Sequence, residues 1–434
     1  MQLKTKGANA RQRLIAASCA LLGSAAARGQ DGTTAPAGSG VLDDWSVDTA
    51  LAYYHEQGRI QAIEPIVNVS KVYSDGEAIS LNATFDSLTG SSPNGALTSR
   101  QPQTFASPSG TTLTPGRHTY TTPAGELPVD SKYHDQRLAV GGNWTQPLNR
   151  VTQLSVGGKL SEEHDFLSAT VNASIAHDFN EKNTTVSFGI SDEYDSIKPI
   201  GSAPLAGSDY ALFEKTGNKT KDGVGALIGV TQVMTRNWLS EFNVSVDRFT
   251  GYLNDPYKII SVIDTAGGTT GYVYESRPDQ RTRKSAYWEN RVTWTDQFFT
   301  ALSLRAMADD WGVRSDTAQA RLRWSLPNRD RYLEPSLRWY RQTAADFYTP
   351  WLVGGEKPSS AYESSDSRLA AFHALTYGLK YAQTLDGHGG SEISVRVEYY
   401  QQTFDNQTAA PGALQGLDLY PSLKAFMVQV GWRF

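Results

Sequence analysis

The chain has 434 residues, with 40 basic and 45 acidic side chains and a formal charge of −5, a balance that argues against nucleic acid as the main partner. Its one cysteine, Cys19, excludes an intrachain disulfide and a multi-cysteine metal site. Nothing after residue 27 approaches the roughly 18 consecutive apolar residues of a membrane-spanning helix, yet Trp, Tyr and Phe are plentiful, as they are where ring girdles mark membrane interfaces.

Residues 1–27 read as a secretory signal peptide. Lys4, Lys6, Arg11 and Arg13 precede an apolar run from Leu14 to Ala27, which ends in an Ala25-x-Ala27 cleavage pattern. Cleavage is expected after Ala27, and Ala27-Arg28-Gly29 allows it one residue later. Cys19 follows Ala16-Ala17-Ser18, a poor lipobox, and reads as a small apolar residue of the signal. Taking the four basic residues of the signal from the 40 of the chain leaves 36 against 45 acidic, a formal −9. Residues 28–44 are rich in Gly, Ala, Thr and Pro and read as a flexible periplasmic leader.

From residue 45 to 434 the sequence reads as one domain. Period-two alternation between turn residues predicts strands over 47–57, 61–73, 77–89, 135–147, 150–161, 167–179, 183–195, 222–234, 238–251, 283–295, 299–310, 316–326, 330–342, 368–384, 391–404 and 422–434. That is sixteen, an even number, as bacterial single-chain barrels have. Every second connection is a tight turn: Ser74–Gly76, Pro147–Asn149, Asn180–Lys182, Thr235–Asn237, Asp296–Gln297, Pro327–Arg329 and Asp386–Gly390. The long connections 90–134, 196–221, 252–282 and 343–367 all fall in the other set. Short periplasmic turns and long outer loops are the pattern of an all-β, sixteen-stranded antiparallel transmembrane β-barrel of the bacterial outer membrane. The last strand agrees: Phe426, Val428, Val430, Trp432 and Phe434 share one parity, as in a closing strand that carries an assembly signal. A secreted β-sandwich or β-helix would alternate too, but would bury its apolar face and use shorter strands.

With the apolar parity facing lipid, the other faces the lumen. Strands four to eight present mainly small neutral groups there: Gly141, Asn143, Ser155, Gly157, Thr170, Asn172, Ser174, Ser187 and Gly189. Strands ten to fifteen present Glu289, Arg291, Arg305, Arg321, Arg323, Glu334, Arg338, Arg396 and Glu398. In a wide lumen such charges either pair with one another, Arg396 with Glu398 and Glu334 with Arg338, or form a selectivity wall for anions. Near the outer rim, Glu56 and Glu64 fall on neighbouring strands with Arg59 between them, placed to bridge them. Asp86 precedes a turn containing Asn94 that can fold over the mouth.

The stretch Tyr53-Tyr-x-Glu-x-x-Arg-Ile-x-x-Ile-Glu-Pro65 and the stretch from Asp86 through Thr89-Gly-Ser-Ser-Pro-Asn-Gly-Ala96 resemble the uncharacterised bacterial family called domain of unknown function 3570. The resemblance runs from about residue 45 to Phe434. It implies an outer-membrane barrel, assigns no activity, and implies company with periplasmic redox or metal-handling proteins.

No nucleotide-binding glycine fingerprint, zinc-protease HExxH, GxSxG or CxxCH stands at a credible position. Enzymatic activity, a cofactor and a resident metal are therefore not expected. His118 and His134 share a long loop, and loop acids such as Asp255, Asp264 and Asp279 can meet calcium or lipopolysaccharide, but neither set has ligand spacing. The expected partners are outer-membrane lipid, lipopolysaccharide and the barrel assembly machinery. The expected function is a channel or transporter for a small, anion-biased solute. The alternative is a plugged structural or docking barrel that serves a periplasmic redox or metal-handling system.

Overall fold

The computed structural model describes residues 45–107, 119–327, 330–354, 361–385, 390–405 and 407–434. The expected signal peptide and leader, His118, and residues 328–329 and 386–389 of two expected turns lie outside the described residues. In chain order the strands are β1 (Trp45–Glu56), β2 (Gln61–Val72), β3 (Ala78–Thr89), β4 (Gln103–Ala106), β5 (Thr119–Thr122), β6 (His134–Pro147), β7 (Thr152–Glu162), β8 (Phe166–Phe179), β9 (Thr184–Ile197), β10 (Lys219–Thr235), β11 (Trp238–Gly251), β12 (Ile259–Ile263), β13 (Thr269–Tyr274), β14 (Gln280–Thr293), β15 (Phe298–Asp309), β16 (Arg314–Ser325), β17 (Arg331–Gln342), β18 (Leu352–Val353), β19 (Phe372–Thr384), β20 (Glu392–Phe404) and β21 (Leu423–Arg433).

Sixteen of them close into a barrel in the order β1-β2-β3-β6-β7-β8-β9-β10-β11-β14-β15-β16-β17-β19-β20-β21. Each wall strand pairs antiparallel with its neighbours, and β21 returns to β1 with Leu51 opposite Val430 and Asp48 opposite Arg433. The sixteen are those that alternation predicts. The start of β19 is displaced: Ser367–Leu369 form a 3-10 turn, held where the Asp366 carboxylate accepts the Arg368 N–H at 3.0 Å.

The outer face of the wall is apolar on strand after strand. Leu81, Val171, Ile228, Leu302 and Trp432 are each more than half exposed. A belt of this extent exceeds what water tolerates on a monomer, so this face is covered by lipid. Trp144, Trp238 and Trp294 gather towards the short-turn end, and each donates its indole N–H, to Glu77, Asn290 and Thr300 respectively. A ring in lipid with its N–H tied to a polar group is the arrangement of an interface girdle.

The hydrophobic core lies among the long connections, at the opposite end. There β12 pairs with β13, and β18 adds parallel to β12 with Val262 opposite Leu352. The connection between β3 and β6 carries the β4–β5 hairpin. Phe105, Ile259, Ile260 and Ile263 are among the largest fully buried side chains. Connections rooted far apart on the ring meet here. The Leu97 N–H donates to Ser261 Oγ at 2.9 Å, although β7 to β10 stand between the two roots. Arg100 donates to the carbonyls of Ala413 and Gln415 at 2.8 and 2.6 Å. Contacts of this kind must cross the mouth, so the loops form a cap.

Candidate functional site: the charged lumen and its cap

On the wall from β14 to β20 the lipid-facing side chains include Trp288, Leu302, Leu322, Leu337, Leu379 and Val397. Their strand neighbours therefore point inwards. That parity puts Arg291, Arg305, Arg321, Arg323, Glu334, Arg338, Arg396 and Glu398 on the lumen wall. Six of these are held by a neighbour. Glu289 accepts from Arg291 at 2.6 Å and lies 3.5 Å from Arg321. Arg396 lies 3.8 Å from Glu334 and 3.5 Å from Glu398. The Arg323 guanidinium stacks 3.7 Å above the Tyr332 ring.

The pairing expected along β17, Glu334 with Arg338, is replaced by one across strands. Residues four apart on a strand are separated by about 13 Å, whereas the register carries Glu334 to Lys380 and on to Arg396. Neither Arg338 nor Arg305 has an ion pair among the described residues, although the Asp247 carboxylate lies in the field of Arg305; both are exposed to the lumen.

The mainly neutral wall on β6 to β10 carries charges at its outer end. Arg137 is ion-paired with Asp86, Lys221 lies 2.5 Å from Asp195 and 3.4 Å from Glu193, and Lys159 points inwards beside them. These residues continue the parity that carries Gly141 and Gly157, so alternation was sufficient to find them. The small residues occupy only the middle of the wall, and the charges lie where the wall meets the cap.

The rim motif is mainly architectural. Glu56 is buried and accepts from the Tyr54 hydroxyl at 2.6 Å. Arg59, expected to bridge Glu56 and Glu64, instead donates to the Pro421 carbonyl at 3.3 Å. Burial lowers the Arg59 pKa against the pull of Glu56. Glu64 lies within electrostatic reach of Arg137 and Lys159. Gly90, at φ +85°, brings its α-carbon against the Arg59 carbonyl, where a Cβ would collide. The Asn94 carbonyl accepts the Ile259 N–H at 2.9 Å, and its side chain accepts the Ala96 N–H at 2.9 Å. Gly95, at φ +97°, leaves no room for a Cβ beside the Ile259 carbonyl. The motif therefore fastens the first long loop both to the first hairpin and to β12.

Sequence reading missed the ion network inside the cap. Arg277 donates to Glu275 and to Asp366 at 2.8 Å each, and Arg368 donates to Asp255 at 2.7 Å and to Asp366. Glu275 and Asp366 are almost fully buried. Burial alone would raise the Asp366 carboxyl, but Arg368, Lys258 and Arg277 outweigh it and hold the group well below its ordinary range. Lys258 is buried too, its pKa lowered by that burial, and it donates to Ser92 at 3.1 Å and to the Pro93 carbonyl. Arg277 with Glu275 and Arg368 with Asp366 are local pairs, but the bonds that join them, Arg277 to Asp366 and Arg368 to Asp255, span 89 and 113 residues, so no local pattern marks the network.

One rim cluster has the chemistry of a hard-cation site. Asp135, Glu163 and Asp165 each place a carboxylate oxygen within 4.8 Å of the others. Burial, and then Asp135, push the Glu163 carboxyl up to about 7.

The sequence matches a family described as "Protein of unknown function (DUF3570)" over residues 11–434. No curated protein matches it. Among solved structures, the ferric enterobactin receptor PfeA in complex with BCV-L6 is 10% identical with a TM-score of 0.43; the match covers 89% of this chain and 60% of PfeA. A bacterial polysaccharide outer membrane secretin is 9% identical with a TM-score of 0.43, covering 90% of this chain and 98% of its own. OpdK of Pseudomonas aeruginosa, in a structure with vanillate, is 10% identical with a TM-score of 0.39, covering 91% of this chain and 100% of its own. The chain thus spans less than two thirds of the PfeA chain.

Proposed function

We propose a function for a chain that belongs to the DUF3570 family: it is an outer-membrane channel that passes a small anionic solute. The supporting observation is the charge balance of one lumen wall. From β14 to β20 the inward side chains include Arg281, Arg283, Arg291, Arg305, Arg321, Arg323, Arg338, Lys380 and Arg396, against Glu289, Asp309, Glu334, Glu392 and Glu398. A one-sided cationic surplus along a water-wide lumen concentrates anions and slows cations. The cap is the gate, and its displacement opens the path. Export by residues 1–27, insertion by the barrel assembly machinery and contact with lipopolysaccharide belong to this reading.

The test is the reversal potential of the purified barrel in a planar bilayer under a KCl gradient. The proposal expects anion preference and larger conductance when the cap is loosened. Cation preference would overturn it.

The closed cap favours one other reading, a plugged barrel that docks a periplasmic redox or metal-handling protein. Under that reading the barrel does not conduct even when the cap is opened.

A further inference from the structure

Arg305 and Arg338 stand out on a wall where the other predicted arginines have partners. The register places them together: Arg305 lies opposite Thr317, Thr317 opposite Tyr340, and Arg338 is two residues below Tyr340 on the same face. Two strand spacings and one two-residue step separate their α-carbons by about 12 Å. Two arginine side chains can close that gap on a common anion. Tyr340 senses both, since its phenol lies in the field of Arg338 and of Arg305.

The aromatic rings beside them have a fixed posture. The Tyr340 hydroxyl donates to Gln342 at 2.7 Å, and the Tyr400 hydroxyl donates to Gln402 at 2.8 Å. Each donor is committed to the side chain two residues on, so each ring lies along the wall and does not project from it. Both rings remain partly exposed. From Tyr340 an aromatic series rises into the cap: Phe372 at 5.5 Å, Phe404 at 6.4 Å beyond it, and then Tyr420 at 6.0 Å.

We propose that Arg305 and Arg338, with the Tyr340 and Tyr400 rings, form a binding site for a planar organic anion, of the aromatic carboxylate class. A guanidinium fork matches a carboxylate bidentately, and a flat ring finds its counterpart in a tyrosine face. A hydrated inorganic anion would use the arginines but gain nothing from the rings. The site deepens the channel reading and rests on it for its physiological use, though not for its existence.

The experiment compares benzoate with acetate on the full exported barrel. Each salt is titrated against chloride current in bilayers, and each is titrated calorimetrically into protein in detergent. The site expects benzoate to act at least about tenfold below acetate. The double change Arg305→Gln and Arg338→Gln should weaken benzoate about tenfold or more, the scale of a lost charge-assisted bond. Tyr400→Leu should narrow the gap between benzoate and acetate. Equal action of the two salts, or benzoate binding indifferent to the arginine change, overturns the site. A barrel that binds benzoate through these arginines but never conducts keeps the site and defeats the channel reading. A barrel that conducts anions without preferring benzoate does the reverse.

Discussion

In the wall each strand pairs only with its two neighbours on the ring, as β7 does with β6 and β8, whereas in the cap Leu97 binds Ser261 and Arg100 binds Ala413. Most large apolar side chains of the wall face lipid, and its inward face is mainly polar, with a few buried apolar groups such as Ile66, Leu227 and Phe249. The cap buries Phe105, Ile259 and Ile263, together with an ion network, as a water-soluble domain would. The lipid holds the first and the cap's own packing holds the second, so each should be breakable without the other.

The largest effect is expected in the cap. Asp366→Asn leaves Arg277 and Arg368 without their shared acid, and breaking a buried pair costs about 3–5 kcal/mol. Proteolysis of the loops 252–279 and 343–371 should accelerate and conductance should rise, while the heat-resistant barrel band on gels persists. Loss of that band would show the two regions to be one cooperative unit.

Next comes the wall. Val430→Asp puts a carboxylate on the lipid face of β21, opposite Leu51, at a cost of up to about 2–4 kcal/mol with acids at the low end. Deletion of Phe434 removes the terminal ring and the backbone bonds it makes with Val47 at 2.8 and 2.9 Å. Both variants should fail to accumulate in the outer membrane, which fractionation measures. Normal levels would mean that β21 does not face lipid.

A smaller effect separates lumen from fold. Arg321→Gln with Arg323→Gln should lower anion preference in bilayers with little change in folding. The difference should shrink at high salt, where the Debye length falls to about 3 Å at 1 M.

The smallest effect concerns the rim turn between β7 and β8. Glu163 has its pKa raised to about 7, so its contribution to stability is full below its ordinary value near 4.5 and is lost as pH rises through about 7. A spin label at position 164 should become more mobile from pH 5 to pH 8, and Glu163→Gln should abolish the change. Mobility that does not vary with pH would mean that the Asp135, Glu163 and Asp165 carboxylates do not repel.

The same contrast decides what was legible in the sequence. Strand positions, short turns and inward residues follow from a period of two, which any ten residues display; Leu138, Val140 and Trp144 against Arg137, Ala139 and Asn143 were enough for β6. The freedom of Arg338 was not legible, because it depends on which residues the register places beside it. The Asn94 and Gly95 words were visible as a motif, but their purpose lay in Ile259, more than 160 residues away. The cap network was hidden for the same reason.

The seam between β1 and β21 carries a consequence for biogenesis. Arg433 pairs with Asp48 across 385 residues of chain, and the β1–β21 ladder runs from Asp48 to Glu56. Until that ladder forms, β1 presents a row of unpaired N–H and C=O groups that hydrocarbon cannot satisfy. A nascent wall of fifteen strands is therefore not a slightly weaker barrel but an open sheet that must be shielded. Closure requires joining the most distant contacts in the sequence, the slowest kind of step in folding. The last strand made is thus also the one that removes the exposed edge of the first.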